Sequence, residues 1–137
     1  MATLELRVTL IMQELETLRD FISNFSEEAG LDEDKVARLN LAVVESVTNV
    51  SRHAKGVGEE ATVKVELNAD ADWLFCVISY AGEEYSPPEP VDEISMDDFP
   101  EGGFGNFIIF NACDEVHFEY AEGRNITRMG MKLGPED

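Results

Sequence analysis

The sequence predicts an α+β fold of two layers, in which helices cover one face of a mixed or antiparallel sheet. Two observations predict it. Apolar residues alternate with polar ones in several short segments, and they recur every three or four positions in longer ones. The predicted elements follow one another as β α α β β α β β, and pairs of strands are joined by short turns, as in hairpins. The 137 residues fit one domain, 1–137.

The first part of the chain is predicted to contain one strand and two helices. Residues 3–10 alternate apolar and polar side chains, which is typical of a strand with one buried face. Gly30 is a plausible stop for the first helix, and Asp32 is expected to cap the second. The apolar positions of the first helix are Ile11, Leu15, Leu18, Ile22 and Phe25. Those of the second helix are Val36, Leu39, Val43, Val47 and Val50.

The remainder is predicted to form two hairpins separated by a long loop. Strands are expected near 61–68 and 73–79, and again at 115–121 and 125–132. The loop 83–101 holds four prolines and eight acidic residues but no Lys or Arg, so it cannot be a continuous helix or a central strand. Loops of this length in a small domain are usually lids or binding loops. A third, largely buried helix is expected after it.

The composition limits which classes of partner and which cellular compartment we expect. The formal net charge is −19, which disfavours direct contact with nucleic acid or an anionic membrane and favours a basic protein surface. The charge could equally serve solubility alone. Cys76 and Cys113 lie in apolar runs, so we expect buried free thiols without a disulfide. We see no signal peptide and no apolar run long enough for a membrane helix, so we expect a cytoplasmic protein.

The second helix carries a polar face that is a candidate site. Glu45, Asn49, Arg52 and His53 share one face on a period of 3.6 residues. A carboxylate beside an amide could orient a water or hold Mg²⁺, since both supply hard oxygen ligands. From spacing alone, an ordinary solvated helix face explains the pattern as well.

A glycine-rich segment is the second candidate site. Glycines let a backbone approach a ligand closely, and a helix that begins there directs free N–H groups towards an anion. The segment lacks the Gly-Lys-Ser/Thr of a phosphate-binding P-loop, and no strand leads directly into it. A flexible hinge for the loop 83–101 is the alternative. Its glycines are Gly102, Gly103 and Gly105.

In their order and separation, these patches resemble the anti-sigma serine kinases, a branch of the GHKL ATPases. Residues 41–49, followed by His53 and Ala54, look like the N-box of that branch. Residues 102–105 look like its second glycine box, and residues 113–116 like the strand after it. The likeness covers nearly the whole chain and implies the histidine-kinase-like, or Bergerat, ATP-binding fold. The closing hairpin resembles the family at Gly123, Asn125, Ile126, Met129, Lys132 and Leu133.

The resemblance implies roles for individual residues. Asn49 matches the asparagine that coordinates Mg²⁺ bridging the ATP phosphates, and Glu45 matches the glutamate that acts as general base on a partner's Ser or Thr hydroxyl. Residues 83–101 match the ATP lid, and Gly102, Gly103 and Gly105 match the glycines that hold the phosphates. From its position, Arg52 is expected to add positive charge near the phosphates. Thr127 is expected to reach the adenine region.

The sequence departs from the family at the first glycine box, which usually reads Asp-x-Gly and places a carboxylate on the adenine amino group. Gly82 is present, but Tyr80 stands in the Asp position, and Glu84 stands where a further glycine is expected. A tyrosine hydroxyl can accept a hydrogen bond, or its ring can fill the adenine pocket. Losing a charged acceptor costs about 1.5–3 kcal/mol, or one to two decades of affinity.

Two functional hypotheses follow from the resemblance. In the first, the chain binds Mg²⁺ and ATP and phosphorylates Ser or Thr of an anti-anti-sigma partner with a STAS domain, while it sequesters a sigma factor. It could act as a homodimer. In the second, it is a regulatory module of the same fold that binds partners without nucleotide, because Tyr80 replaces the adenine-binding Asp. The ATP-binding half of a histidine kinase ranks lowest, since we see no phosphoacceptor helix in front.

Overall fold

A computed structural model of the chain shows an antiparallel sheet with two long helices on one face, and it describes residues 1–53, 60–85, 108–109 and 111–134. Residues 108–109 and 111–112 are also helical. The strands are β1 (Ala2–Arg7), β2 (Thr62–Ala69), β3 (Trp73–Ala81), β4 (Glu115–Ala121) and β5 (Arg124–Lys132). The helices are a 3-10 helix (Val8–Gln13), α1 (Leu15–Glu28) and α2 (Glu33–His53).

The five strands are ordered β1-β2-β3-β5-β4, and every neighbouring pair is antiparallel. The expected two-layer α+β fold is therefore confirmed, with an antiparallel sheet. One row of paired residues crosses the sheet on the side of the helices: Leu4, Val65, Ile78, Thr127 and Phe118. Because side chains alternate along a strand, this row fixes which residues face the helices and which face away.

The core lies between that sheet face and the helices. All five positions of the predicted apolar stripe of α2 are buried, as expected. On the sheet they meet alternate residues of the central strands, which are also buried. These are Val63, Val65, Leu67, Leu74, Cys76, Ile78, Met129 and Met131.

The two cysteines are free thiols, and Cys76 is buried while Cys113 is half-buried. Burial raises the pKa of the Cys113 thiol to about 12.

The ends of the helices follow the sequence signals. The Asp32 carboxylate accepts a hydrogen bond from the Lys35 backbone N–H at 2.8 Å, so the predicted N-cap of α2 is confirmed. Gly30 has a φ of +94°, a conformation that glycine adopts without strain, and it follows the last turn of α1. The sequence also indicates that α2 ends near Lys55 to Gly58, and these residues lie outside the described ones.

The first strand is shorter than the alternation of residues 3–10 predicts. It ends at Arg7, and the chain continues as a 3-10 helix. Val8 and Ile11 are the buried positions of that helix, and a spacing of three matches its three residues per turn. Leu10, which the strand prediction placed on the apolar face, is 39% exposed. The predicted strand boundary was therefore wrong because a local helical period replaces the strand period at Val8.

The two hairpin turns have the chemistry that the sequence indicates. The Asp70 carboxylate accepts hydrogen bonds from the backbone N–H groups of Asp72 and Trp73 at 2.8 Å, and these bonds lower the pKa of Asp70. Between β4 and β5, Glu122 and Gly123 both have positive φ, at 53° and 75°. That pair of values is typical of the two-residue turn whose twist matches an antiparallel hairpin.

A buried lysine joins the start of α2 to the last hairpin. Lys35 is 1% exposed, and its Nζ donates to the Lys132 carbonyl at 2.9 Å and lies 3.5 Å from Asp114 Oδ2. The same Asp114 oxygen accepts the Lys132 backbone N–H at 2.8 Å. Burial acts to raise the pKa of Asp114, but the Lys132 hydrogen bond and the Lys35 charge outweigh it, so that pKa lies below its ordinary value.

Candidate functional site

A pocket lies between the second half of α2 and the ends of β3, β4 and β5. Its free volume is about 30 Å³. It contains the N-box segment of α2 and the strand end that matches the first glycine box, so the fold brings two of the three predicted patches together. The lining residues are Ser46, Asn49, Val50, Ile78, Tyr80, Tyr85, Ile109, Phe118, Glu119, Asn125, Ile126 and Thr127.

Asn49 forms the polar wall of this pocket on α2. It is 7% exposed, and its Oδ1 accepts a hydrogen bond from Nη1 of the exposed Arg52 at 2.7 Å. The guanidinium thus lies beside the oxygen that was predicted to be a metal ligand. An amide oxygen has two lone pairs, so a cation can share this atom with Arg52 or displace the guanidinium.

Glu45 lies one helical turn before Asn49, on the same side of α2. It is half-buried and does not line the pocket. The fourth member of the predicted polar face, His53, ends α2, and its side chain lies outside the described part of the structure. Of the predicted polar face of α2, Asn49 therefore lines the pocket, whereas Glu45 does not.

Tyr80 is the residue that the resemblance matches to the adenine-binding Asp of the first glycine box. Its half-buried side chain lines the pocket, on the helix side of β3. Burial raises the pKa of the Tyr80 hydroxyl, and the neighbouring Tyr85 raises it further. Thr127, predicted to reach the adenine region, lines the same pocket from β5.

The side chain of Asn125 holds the chain that follows β3 against the pocket. It is buried and paired in register with Tyr80 across β3 and β5. Its Nδ2 donates to the Glu83 carbonyl and its Oδ1 accepts the Tyr85 backbone N–H, both at 2.8 Å. The Asn125 amide thus forms hydrogen bonds with a backbone carbonyl and a backbone N–H two residues apart, as a neighbouring β-strand would. These bonds hold Tyr85 at the wall of the pocket.

Gly82, which the resemblance matches to the glycine of the first glycine box, forms hydrogen bonds through both its N–H and its carbonyl. Its N–H donates to the Gly123 carbonyl at 3.1 Å, and its carbonyl accepts the Tyr120 hydroxyl at 2.8 Å. Together with the bonds of Asn125, these fix residues 82–85 at four points on the β4–β5 hairpin. The first three residues of the predicted lid, 83–85, are therefore anchored to the sheet.

The pocket is too small for a purine in this conformation. A cavity needs about 10–15 Å³ of free volume to hold one water molecule. The free volume of about 30 Å³ in this pocket therefore holds about two waters, which is far less than a purine ring needs. Tyr80 and Tyr85 must move before an adenine ring can enter.

Several predicted residues cannot be compared with the structure. Gly102, Gly103 and Gly105, together with residues 86–101 of the lid, lie outside the described residues. Conversely, reasoning from sequence did not identify Tyr85 or Asn125 as pocket residues. Asn125 was noted only within the resemblance of the closing hairpin, and the pairing of Asn125 with a loop 40 residues away has no local signal in the sequence.

In the ranges that the structure describes, no three His, Cys, Asp or Glu side chains cluster as metal ligands, and no helix is long and apolar enough to cross a membrane. The lack of such a cluster in the described ranges does not conflict with a magnesium site at Asn49. Mg²⁺ is usually held by only one or two protein oxygens plus substrate phosphates and waters, so Asn49 does not need a preformed cluster.

Comparison with known proteins gives consistent matches. Residues 10–131 match the model of the histidine kinase-like ATPase domain. The chain is 30% identical to serine-protein kinase RsbW of Staphylococcus aureus (strain MRSA252) over 132 residues, which cover 90% of this chain and 83% of the relative. It is 24% identical to serine-protein kinase RsbW of Bacillus subtilis (strain 168) over 136 residues, covering 90% and 82%.

A solved structure supports the fold. The crystal structure of the RsbU and RsbW domains of a Mycobacterium tuberculosis protein matches with a TM-score of 0.64 and 15% sequence identity. The match covers 97% of this chain and 33% of the mycobacterial chain. At that identity the likeness concerns the fold alone.

Proposed function

This chain belongs to the histidine kinase-like ATPase family, in its anti-sigma serine-protein kinase branch, and from that membership we propose that it binds Mg²⁺ and ATP in the cytoplasm and phosphorylates Ser or Thr of an anti-anti-sigma partner. In the same proposal the partner is a STAS-domain protein, and the chain also sequesters a sigma factor. The acidic net charge of −19 suits a basic partner surface.

The observation that carries this proposal is the placement of Asn49. It is a buried amide on the wall of the pocket between α2 and the sheet, with a guanidinium on its oxygen. Such a site offers one hard oxygen ligand and one nearby positive charge, which is the chemistry that a Mg²⁺–triphosphate requires from a protein. Bound Mg²⁺ would supply charge neutralisation of the phosphates.

Other residues would accept the proton and bind the phosphates and the adenine. Glu45 is half-buried one helical turn before Asn49, and it is the proposed acceptor of the Ser or Thr proton. Arg52 is exposed and would turn from Asn49 Oδ1 towards phosphate oxygens. Gly102, Gly103 and Gly105 remain the proposed phosphate-binding glycines. Thr127 and Gly82 remain proposed at the adenine end.

A nucleotide-free partner-binding module is the second candidate, and the adenine end of the pocket favours it. Tyr80 replaces the carboxylate, Tyr85 is fixed beside it by Asn125, and the free volume is about 30 Å³. A chain that had lost ATP would keep the fold and the partner surfaces while filling the adenine site with aromatic rings. This candidate requires that residues 82–85 never leave their present position.

The two candidates are separated by variants at Glu45 and Asn49. We expect Asn49→Ala to lose Mg²⁺-dependent ATP binding in calorimetry. We expect Glu45→Gln to retain binding but to lower phosphate transfer to a purified STAS-domain protein of the same organism by at least about a hundredfold. Glu28→Gln, an exposed Glu on α1, is the matched control and should transfer phosphate at the wild-type rate. Full transfer by Glu45→Gln would contradict the proposed general base.

A further inference from the structure

The pocket is lined by a second buried amide besides Asn49, that of Asn125 on β5. Asn125 is 8% exposed, and it pairs in register with Tyr80 of β3 and with Tyr120 of β4. These three residues lie two positions along from the row that faces the helices, so their side chains share that face of the sheet. Asn125 therefore presents its amide to the pocket between the sheet and α2.

Both ends of the Asn125 amide are occupied by the backbone that follows β3. Its Nδ2 donates to the Glu83 carbonyl and its Oδ1 accepts the Tyr85 N–H, both at 2.8 Å. A polar group that is buried without a partner is costly. The amide therefore needs replacements for both hydrogen bonds whenever residues 83–85 move away from it.

The same residues close the pocket to a base. Tyr85 lines the pocket, whose free volume of about 30 Å³ is too small for a purine. The Tyr85 N–H is also the group that bonds Asn125 Oδ1. Withdrawal of this segment from the sheet thus makes room in the pocket and frees the amide in one step.

An adenine edge offers the same pair of groups as the backbone of residues 83–85. Its amino group donates a hydrogen bond, as the Tyr85 N–H does, and the ring nitrogen beside that amino group accepts one, as the Glu83 carbonyl does. Asparagine forms this two-bond contact with adenine in protein–DNA complexes. Adenine can therefore replace both bonds of Asn125 and leave neither end of the amide unpaired.

We propose that Asn125 recognises the adenine base, exchanging its two bonds to residues 83–85 for bonds to the amino group and the neighbouring ring nitrogen. This role rests on the proposed function, in which the nucleotide is ATP, and it identifies the residue that selects the base. One amide thus holds the empty pocket closed and binds the base of the occupied one. The adenine amino group has two hydrogens, so a bond to Asn125 leaves one for a second acceptor.

A purely structural role of Asn125 predicts the opposite effect on affinity. If the amide only held residues 83–85, its removal would favour the open pocket and tighten the binding of any nucleotide. If the amide also contacts the base, its removal weakens binding and abolishes the preference for a base that carries an amino group. The sign of the change in dissociation constant therefore separates the two roles.

The test is calorimetric titration of the full chain with ATP and with purine riboside triphosphate, which lacks the amino group, both in the presence of Mg²⁺. The wild type should bind ATP at least about tenfold more tightly, because the analogue leaves Asn125 Oδ1 unpaired. Asn125→Leu should bind ATP at least about tenfold more weakly and should bind the two nucleotides nearly alike. Asn68→Leu, the same change at an exposed position of β2, is the matched control and should keep the wild-type preference.

A second variant keeps the proposal testable if Asn125→Leu fails to fold, which thermal unfolding would show. Asn125→Asp keeps an acceptor for the amino group but removes the donor to the ring nitrogen, so it should bind both nucleotides more weakly and still prefer ATP. Hydrogen exchange supplies a readout that a structural role would not move. In the wild type, exchange of the Tyr85 N–H should accelerate when ATP binds, because Asn125 Oδ1 leaves it.

The possible failures of this role and of the proposed function can be told apart. Tighter ATP binding by Asn125→Leu, or an unchanged preference for ATP in that variant, would overturn the role of Asn125 and leave the proposed function standing. Slower exchange of the Tyr85 N–H in the ATP complex would do the same. If neither the wild type nor any variant binds millimolar ATP, the proposed function fails and the role of Asn125 falls with it.

Discussion

Under the proposed function, replacing Tyr80 by Asp supplies a carboxylate acceptor for the adenine amino group, and it removes a ring from the pocket. Tyr80 lines the pocket opposite Asn125 on β5, and the free volume beside it is about 30 Å³. The proposal that ATP binds here predicts that this substitution tightens nucleotide binding. It does so in two ways, by adding a charged hydrogen-bond acceptor and by making room for the purine.

The magnitude follows from the hydrogen bond. A bond to a charged acceptor contributes about 1.5–3 kcal/mol, which corresponds to about a tenfold to 150-fold change in dissociation constant. The carboxylate loses part of its hydration at this half-buried position, so we expect the lower half of that range. The loss of the Tyr80 ring should lower the free energy of unfolding by about 1–2 kcal/mol, which leaves the protein folded at 25 °C.

The assay is isothermal titration calorimetry with ATP and GTP in the presence of Mg²⁺, on three variants of one position. Tyr80→Phe removes the hydroxyl and keeps the ring, so its affinity for ATP should equal that of the wild type. Tyr80→Asn removes the ring and supplies a neutral acceptor, so it should fall between Tyr80→Phe and Tyr80→Asp. Preference for ATP over GTP should rise in the Asp variant, because a guanine presents a carbonyl where adenine presents its amino group.

The refuting result is specific. If Tyr80→Asp binds ATP no more tightly than Tyr80→Phe, although both are folded by circular dichroism, then position 80 does not contact the base. The match of Tyr80 to the first glycine box would then carry no functional meaning in this chain.

Three further predictions concern the bonds that hold the fold and the pocket. Asn125→Ala removes two hydrogen bonds to residues 82–85, so the free energy of unfolding should fall by about 1–3 kcal/mol in urea titrations, and amide exchange at Tyr85 should accelerate. Lys35→Met leaves the Asp114 carboxylate without its buried cation and should cost about 2–3 kcal/mol in the same assay. Because the pKa of Asp114 is depressed in the folded state, its stabilisation is complete above its ordinary pKa of 3.8 and is lost as the pH falls through the lower folded value. Asp114→Asn should therefore be less stable at neutral pH, and the difference should disappear in acid; a difference that persists at the lowest pH would contradict the linkage.

The two layers of this fold could be predicted from the sequence because apolar residues repeat at a regular spacing in the helices and in most of the strands. The apolar stripe of α2 repeats every three or four residues and is buried as expected, and Asp32 caps the helix at the expected place. The first strand shows the limit of this reasoning. Val8 suits both a strand and a 3-10 helix: its N–H still bonds the Ala61 carbonyl, next to the last pair of β1 and β2, while its burial together with Ile11 fits the helix.

The shared helix face of Asn49 and Arg52 was predictable, but the shape of the pocket was not. The α2 residues Asn49 and Arg52 were expected to share a face, and the structure joins them by a hydrogen bond. The role of Asn125 could not be predicted, because it depends on the register of β3 with β5 and on a carbonyl at Glu83 in a segment without local periodicity. The small volume of the pocket likewise results from tertiary packing of Tyr80 and Tyr85.

The measurement that tests the proposed function most directly is calorimetric titration of the purified wild-type chain with ATP and ADP, with and without Mg²⁺. The proposal predicts one nucleotide per chain, bound with measurable heat only when Mg²⁺ is present, and a higher melting temperature of the complex. If millimolar ATP with Mg²⁺ gives neither heat nor thermal stabilisation, the adenine site is filled by Tyr80 and Tyr85, and the chain is a partner-binding module that has lost the nucleotide.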